Sequence, residues 1–157
     1  MKQKIPILVL FVLFPVLSVP NTLTIKTVHA ADLVEFKGGF KVRLTGITVP
    51  DTSTKVGKQA YKYVKHELEG RTVKVFTHTT NNLATGIVYG DDGLPFAQIF
   101  YETEKSSGDW SNCVNEELLK KGYAHINERF LPKELQHYHK LEYKARGQKR
   151  GMWKNQE

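Results

Sequence analysis

The chain has 157 residues, of which 40% are hydrophobic and 25% are charged, and its formal net charge is +7. This length and composition predict one soluble domain with one core, and the positive charge favours polyanionic partners such as nucleic acid, or anionic membrane or cell-wall surfaces. A single cysteine, Cys113, excludes an intrachain disulfide and a metal site built on cysteines.

The first residues have the pattern of a secretory signal. Lys2 and Lys4 precede a short apolar run, and a basic start before such a run is typical of exported proteins. The run is short for a membrane-spanning helix, and Pro15 interrupts it. We therefore divide the chain into a signal peptide or N-terminal anchor over residues 1–20 and one domain over residues 21–157, and we expect a secreted or cell-envelope protein.

The signal could be cleaved at either of two places. The small residues ending at Ala30 resemble a cleavage site, but a cut there would remove residues 23–28, an alternating run rich in β-formers that predicts the first strand. We favour a cut between Ser18 and Asn21, because a small barrel should not tolerate the loss of an edge strand.

The pattern along the rest of the chain predicts early strands, one helix, paired strands and two C-terminal helices. Gly38 and Gly39 predict a hairpin turn, and Gly70 and Gly122 predict helix ends. The predicted strands are residues 23–28, 33–36, 40–47, 72–77, 85–89, 95–101 and 123–126, and the predicted helices are residues 58–68, 114–121 and 132–146. This order predicts a small β-barrel with helices packed on it.

The most informative segment is VRLTGITVPD, residues 42–51. It alternates apolar positions as a strand does and breaks at Pro50, where it presents Arg43 and Asp51 in a mostly apolar setting. It resembles the active-site strand of the thermonuclease (staphylococcal nuclease) family, for which V-R-L-x-G-I-D-x-P-E is typical. The arginine, glycine, proline and final acid are present, with Asp51 in place of glutamate, whereas Thr48 stands where the family has a metal-binding aspartate.

Four further segments follow in the order that this family has them. They are GKQA at residues 57–60, EGRTVKV at 69–75, VNEELLKKGYA at 114–124 and ARGQKRGMW at 145–153. The resemblance implies an α+β fold, a small OB-fold five-stranded β-barrel with about three packed helices.

The resemblance also implies a chemistry, the Ca²⁺-dependent hydrolysis of phosphodiesters in DNA and RNA. The family holds one Ca²⁺ with two carboxylates and a backbone carbonyl, and oxygen ligands suit such a hard cation. Two arginines bind the phosphate, where guanidinium groups stabilise developing charge, and a glutamate acts as or near the general base. In this chain Arg43 would contact the phosphate, and Asp51, one methylene shorter, would take the place of the base.

The implied metal site is depleted. Asp32 is the candidate for the surviving carboxylate ligand, and Thr48 offers only a neutral hydroxyl at the second position. Losing one charge from a sparse site should weaken Ca²⁺ binding substantially. The resemblance therefore implies a weakened site.

The implied substrate site is depleted as well, because residues 81–86, where the family has its second arginine, contain no arginine or lysine. Arg129 is a hypothetical substitute. Tyr123 and Phe130 could stack on a base, although core packing is the more frequent use of such residues.

Three functions remain open: a nuclease with weakened activity, a catalytically silent relative that binds nucleic acid through its basic surface, and an envelope interaction module. The first two predict nucleic acid as the partner, and we expect a monomer that touches a membrane only through an uncleaved N-terminal segment. The C-terminal cations are either a solvated helix face or a functional patch, and they are Lys140, Lys144, Arg146, Lys149, Arg150 and Lys154.

Overall fold

The computed structural model describes residues 22–79, 86–103 and 108–155. Its strands are β1 (Thr22–Ala30), β2 (Leu33–Phe36), β3 (Lys41–Leu44), β4 (Ile47–Thr48), β5 (Thr72–Thr77), β6 (Phe96–Tyr101), β7 (Asn112–Cys113) and β8 (His125–Ile126). Five of them form a barrel in the antiparallel order β3-β2-β1-β5-β6, and a parallel pairing between β3 and β6 closes the ring. The predicted α+β, OB-like five-stranded barrel is confirmed.

Three helices pack on this barrel: α1 (Lys55–Leu68), α2 (Val114–Lys120) and α3 (Tyr138–Gly147). Short 3₁₀ turns cover Glu128–Phe130, Lys133–Leu135 and Gly151–Asn155. β7 pairs antiparallel with β6, and β4 pairs with β8 in a small separate sheet.

The core follows the two periodicities of the sequence. Inward-facing strand residues alternate with outward-facing ones. On β2, Val34 and Phe36 are buried, while Leu33 and Glu35, which alternate with them, are partly exposed. On α1, buried residues recur every four positions. The core residues on α1, α2 and α3 are Ala60, Val64, Leu68, Val114, Leu118, Leu119, Tyr138 and Ala145.

A buried asparagine ties α2 to the point where the barrel closes. The side-chain amide of Asn115 donates to the carbonyl oxygens of Thr45 at 3.1 Å and Ala97 at 3.2 Å, and its Oδ1 accepts from the Ile99 N–H at 3.3 Å. Asn115 is completely buried, so these contacts satisfy polar groups that water cannot reach. They fix β6 against the end of β3, and the strand that carries Arg43 is held in place.

Several predicted boundaries are corrected. The strand predicted over residues 40–47 is interrupted, because Gly46 has a φ of +71° and turns the chain between β3 and β4. The helix predicted to start at residue 58 starts at Lys55, because the hydroxyl of Thr54 accepts from the Gly57 N–H at 2.9 Å and caps the first turn.

The C-terminal predictions change in a similar way. The helix predicted over residues 132–146 starts only at Tyr138, since the chain first makes a 3₁₀ turn after the extended Pro132. Of the strand predicted over 123–126, only His125–Ile126 is observed. The described part of the strand predicted over 85–89 makes only isolated bridges at Ile87 and Tyr89.

The predicted first strand is observed, and it is longer than expected. β1 pairs with both β2 and β5, and Ile25 and Val28 on it are buried. A chain cut after Ala30 would therefore lack one of the five barrel strands. Within the described ranges no helix has the length and apolar character needed to cross a membrane, and the predicted signal segment, residues 1–20, lies outside those ranges.

Candidate functional site

Arg43 lies at the centre of the candidate site, between two carboxylates. Its Nη1 donates to Oδ2 of Asp32 at 3.0 Å, and its Nε donates to Oδ2 of Asp92. The β2–β3 register places Leu33 opposite Arg43, which brings the neighbouring Asp32 beside the guanidinium. Asp92 comes from a turn 49 residues further along the chain.

The three charged groups are partly shielded from water, with side-chain exposures of 31% for Arg43, 25% for Asp32 and 35% for Asp92. Partial burial opposes the charge of Arg43, but the contacts with Asp92 and Asp32 outweigh it and raise the pKa of the guanidinium. The hydrogen bond from Arg43 likewise lowers the pKa of Asp92, more than partial burial raises it. The arginine is therefore positively charged at neutral pH, and the carboxylates of Asp32 and Asp92 already compensate that charge.

Arg129 holds the other carboxylate of the same turn. Its Nη1 and Nη2 donate to the two carboxylate oxygens of Asp91, each at 2.9 Å, in the bidentate geometry that a guanidinium also uses for phosphate. Asp91 and Asp92 are consecutive, so one turn holds both Arg129 and Arg43. The structure thus brings the proposed substitute arginine to the Arg43 site.

Phe130 lies in the same neighbourhood, under the guanidinium of Arg129. The Arg129 Cζ lies 4.8 Å from the centre of the Phe130 ring, and that ring packs on Phe96 at 4.3 Å between centres. Phe96 is the β6 residue paired with Arg43. Phe130 is thus partly used for packing and serves to support Arg129.

Asp51 lies in the loop between β4 and α1, with no hydrogen bond to Arg43 among the described residues. Its Oδ1 accepts from the Ser53 N–H at 2.7 Å, and this contact, the larger cause, holds its pKa below the usual value despite some desolvation. The loop is fixed by a close backbone approach, because a Cβ at Gly57 would collide with the carbonyl oxygen of Asp51. The carboxylate is exposed and ionised at neutral pH.

The residues predicted to bind Ca²⁺ do not fit that ion. The carboxylate of Asp32 is engaged by Arg43, and the hydroxyl of Thr48 accepts from the side-chain amide of Asn127 at 3.1 Å. Ca²⁺ takes six to eight oxygen ligands, and this pair supplies one carboxylate and one neutral hydroxyl. No three His, Cys, Asp or Glu side chains gather into a possible metal site within residues 22–79, 86–103 and 108–155.

Tyr123, the last predicted substrate-binding residue, has no described contact with the Arg43 cluster. Its ring meets the edge of Tyr63 at 6.2 Å between centres, and it lines a groove beside Lys55. The sequence interpretation did not include Asp91 and Asp92 among the candidate site residues. Two consecutive acids before a turn glycine were the available signal. Residues 81–85, from the stretch without an arginine, lie outside the described ranges.

A comparison with protein families agrees with this geometry. The model of the family described as staphylococcal nuclease homologue matches residues 41–155, which include Arg43, the turn of Asp91 and Asp92, and Arg129. The chain belongs to this family. The predicted thermonuclease-like domain is therefore confirmed, although Asp32 precedes the matched range. None of the curated proteins compared with this nuclease-family domain matches it.

Proposed function

We propose that this nuclease-family protein binds nucleic acid and hydrolyses its phosphodiester bonds weakly. The observation that supports this best is the pairing of Arg43 and Arg129 with consecutive carboxylates of one turn. Two guanidinium groups that meet at one short acidic turn can also meet at one phosphodiester, because phosphate oxygens accept from a guanidinium with the geometry of a carboxylate.

Substrate binding in this proposal is an exchange of anions. A phosphodiester would replace Asp92 at Arg43 and Asp91 at Arg129, while the displaced carboxylates become hydrated. The exchange costs the existing ion pairs, so the net gain in affinity is smaller than for two unpaired arginines. This competition is the first reason to expect weak activity.

Asp51 is the candidate general base of the proposed hydrolysis. It would take a proton from a water molecule that attacks phosphorus, the P–O bond to the leaving oxygen would break, and solvent would protonate that oxygen. Since the pKa of Asp51 is held below the usual aspartate value, the carboxylate is a poorer proton acceptor than an ordinary one. This is the second reason to expect slow turnover.

A catalytically silent module that binds nucleic acid is the second candidate function. It is favoured by the donor set at Asp32 and Thr48, which does not fit the Ca²⁺ that the family resemblance implies. Dependence of cleavage on Ca²⁺ is therefore a quantity to be measured for this chain. The third function, contact with an envelope partner, depends on the N-terminal signal, and we infer export from the basic start and the apolar run.

The test is cleavage of single-stranded and heat-denatured DNA by the full chain, in millimolar Ca²⁺ or in EDTA. We expect slow cleavage that Arg43→Ala abolishes and Arg129→Ala lowers by about tenfold or more, of the order expected for one charged contact to the transition state. The matched control is Lys37→Ala, which removes an exposed cation without an ion pair among the described residues and should leave cleavage unchanged.

Two other outcomes separate the candidates. Oligonucleotide binding without cleavage above the Arg43→Ala background would support the silent module. A wild-type protein that binds no oligonucleotide at low salt would contradict both nucleic-acid functions and direct attention to an envelope partner.

A further inference from the structure

A groove of about 700 Å³ lies where the start of α1, the end of α2 and the segment after α3 meet. Among the described residues, five cationic ones line it and no carboxylate does: Lys55, Lys121, Lys149, Arg150 and Lys154. They come from three separated parts of the chain. Of the six C-terminal cations named from the sequence, three line this groove: Lys149, Arg150 and Lys154. The other two cations of the groove, Lys55 and Lys121, come from earlier in the chain.

The charges in this groove differ from those at the candidate active site. Lys55, Lys149 and Lys154 are exposed and make no ion pair in the described part of the chain. Arg43 and Arg129, by contrast, are both neutralised by carboxylates. An incoming polyanion would therefore gain more in the groove, because it displaces only water and counterions there.

The other two cations are held in position without being neutralised. The Lys121 Nζ lies 4.7 Å from the centre of the Tyr63 ring, and the Arg150 Nη1 donates to the backbone oxygen of Lys120 at 3.0 Å. Neither an aromatic ring nor a carbonyl carries a formal negative charge. These contacts therefore do not compensate the two charges, although they reduce the conformational freedom of the side chains.

The groove wall is built on closely approaching backbone segments. The Met152 N–H donates to the carbonyl of Gly122 at 3.0 Å, and a Cβ at either Gly122 or Gly151 would collide with backbone of the opposite segment. Lys149, two residues before Gly151, has a φ of +49°, a left-handed conformation that is uncommon for a lysine. The cations therefore surround a preformed concave surface.

The groove begins close to the candidate general base. Lys55 follows Asp51 by four residues, so their Cα atoms are at most about 15 Å apart. The loop between them is folded back, since the Thr54 N–H donates to the Asp51 carbonyl at 3.0 Å. A strand of nucleic acid that passes Asp51 would thus meet this groove within a few nucleotides.

We propose that the groove binds the phosphodiester backbone of single-stranded nucleic acid, as a second contact surface near the Asp51 loop. The proposal rests on the proposed function for the class of ligand. A cationic groove that also presents an aromatic ring, here the half-buried Tyr123, is the combination that holds single strands by phosphate contacts and base stacking. A concave surface suits a flexible strand better than a flat membrane.

The test compares two triple variants of the full chain. The groove variant is Lys55→Gln with Lys149→Gln and Lys154→Gln. The control variant, Lys37→Gln with Lys62→Gln and Lys140→Gln, removes the same charge from exposed lysines outside the groove. Binding of a fluorescein-labelled 20-nucleotide oligo-dT is followed by anisotropy in EDTA over a range of salt concentrations, and circular dichroism verifies folding.

We expect the groove variant to raise Kd by about tenfold or more at low salt. It should also reduce the slope of log K against log salt by about 2, since each lost contact with a single-stranded phosphate removes about 0.7. The control variant should change both quantities much less. Equal effects of the two variants would contradict the proposed role of the groove without contradicting nucleic-acid binding by the chain.

Two further outcomes identify which proposal has failed. If the wild-type chain binds no oligo-dT at low salt, nucleic acid is not the ligand, and both the groove proposal and the proposed function are contradicted. If the groove variant loses binding to vesicles of anionic phospholipid but keeps its affinity for oligo-dT, the groove is a membrane contact and our assignment is wrong.

Discussion

Arg43 shows how one residue can keep a functional position while its environment changes what it can do. In a strand with two neighbouring carboxylates the guanidinium is oriented and its pKa is raised, but it already has partners. In the proposed function, its affinity for phosphate would be set by how easily Asp32 and Asp92 release the guanidinium. The Asp92 contact is the more easily altered one, because it comes from an exposed turn.

Removing the charge of Asp92 should make Arg43 more available. We expect Asp92→Asn to tighten oligonucleotide binding at low salt by several-fold, consistent with the roughly 1 kcal/mol or less of a partly exposed ion pair. Anisotropy titration measures this. The matched control is Asp109→Asn, whose carboxylate accepts from Ser111 and pairs with no cation in the described ranges. Equal affinities for the two variants would mean that Asp92 does not compete with the ligand.

At the scale of elements, strands β1, β2 and β3 are joined on their outer face by one carboxylate. Oε1 of Glu35 lies 2.9 Å from the Lys26 Nζ, and its Oε2 lies 2.7 Å from His29 Nε2 and 3.9 Å from the Lys41 Nζ. The hydrogen bonds from Lys26 and His29 lower the pKa of Glu35 from 4.5 to about 2. One residue thus links all three strands through charge.

This pKa predicts a pH dependence of stability. A carboxyl group whose pKa is lowered by folding stabilises the fold fully above its unfolded pKa, near 4.5, and this contribution is lost as the pH falls towards about 2. Glu35→Gln should therefore lower the thermal midpoint at pH 6, and the difference from wild type should shrink steadily between pH 4.5 and 2. A difference that stays constant over that range would show that Glu35 acts by packing or neutral hydrogen bonds.

At the scale of the whole molecule, barrel closure makes every one of the five strands necessary. β1 pairs on both sides, and without it β2 and β5 would expose their edges and the core residues beneath them. Its position argues against a functional cut after Ala30 and agrees with the predicted cut before residue 22, should the proposed signal be cleaved.

Chain length provides the test. We expect residues 22–157 to fold cooperatively and residues 31–157 to remain unfolded, as judged by circular dichroism and urea titration. If the proposed signal is cleaved, N-terminal sequencing of the mature chain should give a start between residues 19 and 21. A mature chain that starts at residue 31 and is folded would contradict the need for β1.

The whole molecule also separates its charges into two regions. At the candidate site Arg43 and Arg129 are paired with acids, whereas no acid among the described residues lines the groove of Lys55 and Lys149. In the proposed function, the groove would supply most of the long-range attraction of a polyanion, and the two arginines would orient the reacting phosphate.

The sequence by itself determined the barrel, the order of its elements and the position of Arg43. Alternating and four-residue periodicities report which local face is buried, and burial of that face is what drives the chain into strands and helices. The Gly38–Gly39 turn was also predicted from local sequence, because glycine readily adopts the positive φ that a tight hairpin needs, and both glycines have positive φ.

Only the tertiary structure decided which charges meet. Asp92 reaches Arg43 from 49 positions away, and Lys55 and Lys149 line one groove formed by segments far apart in sequence. The sequence pattern does not indicate which charged residues pair, because an exposed charged residue stays in water whether it is paired or not. Closure of β3 on β6 and the docking of α3 set these distances, and both result from long-range packing of the core.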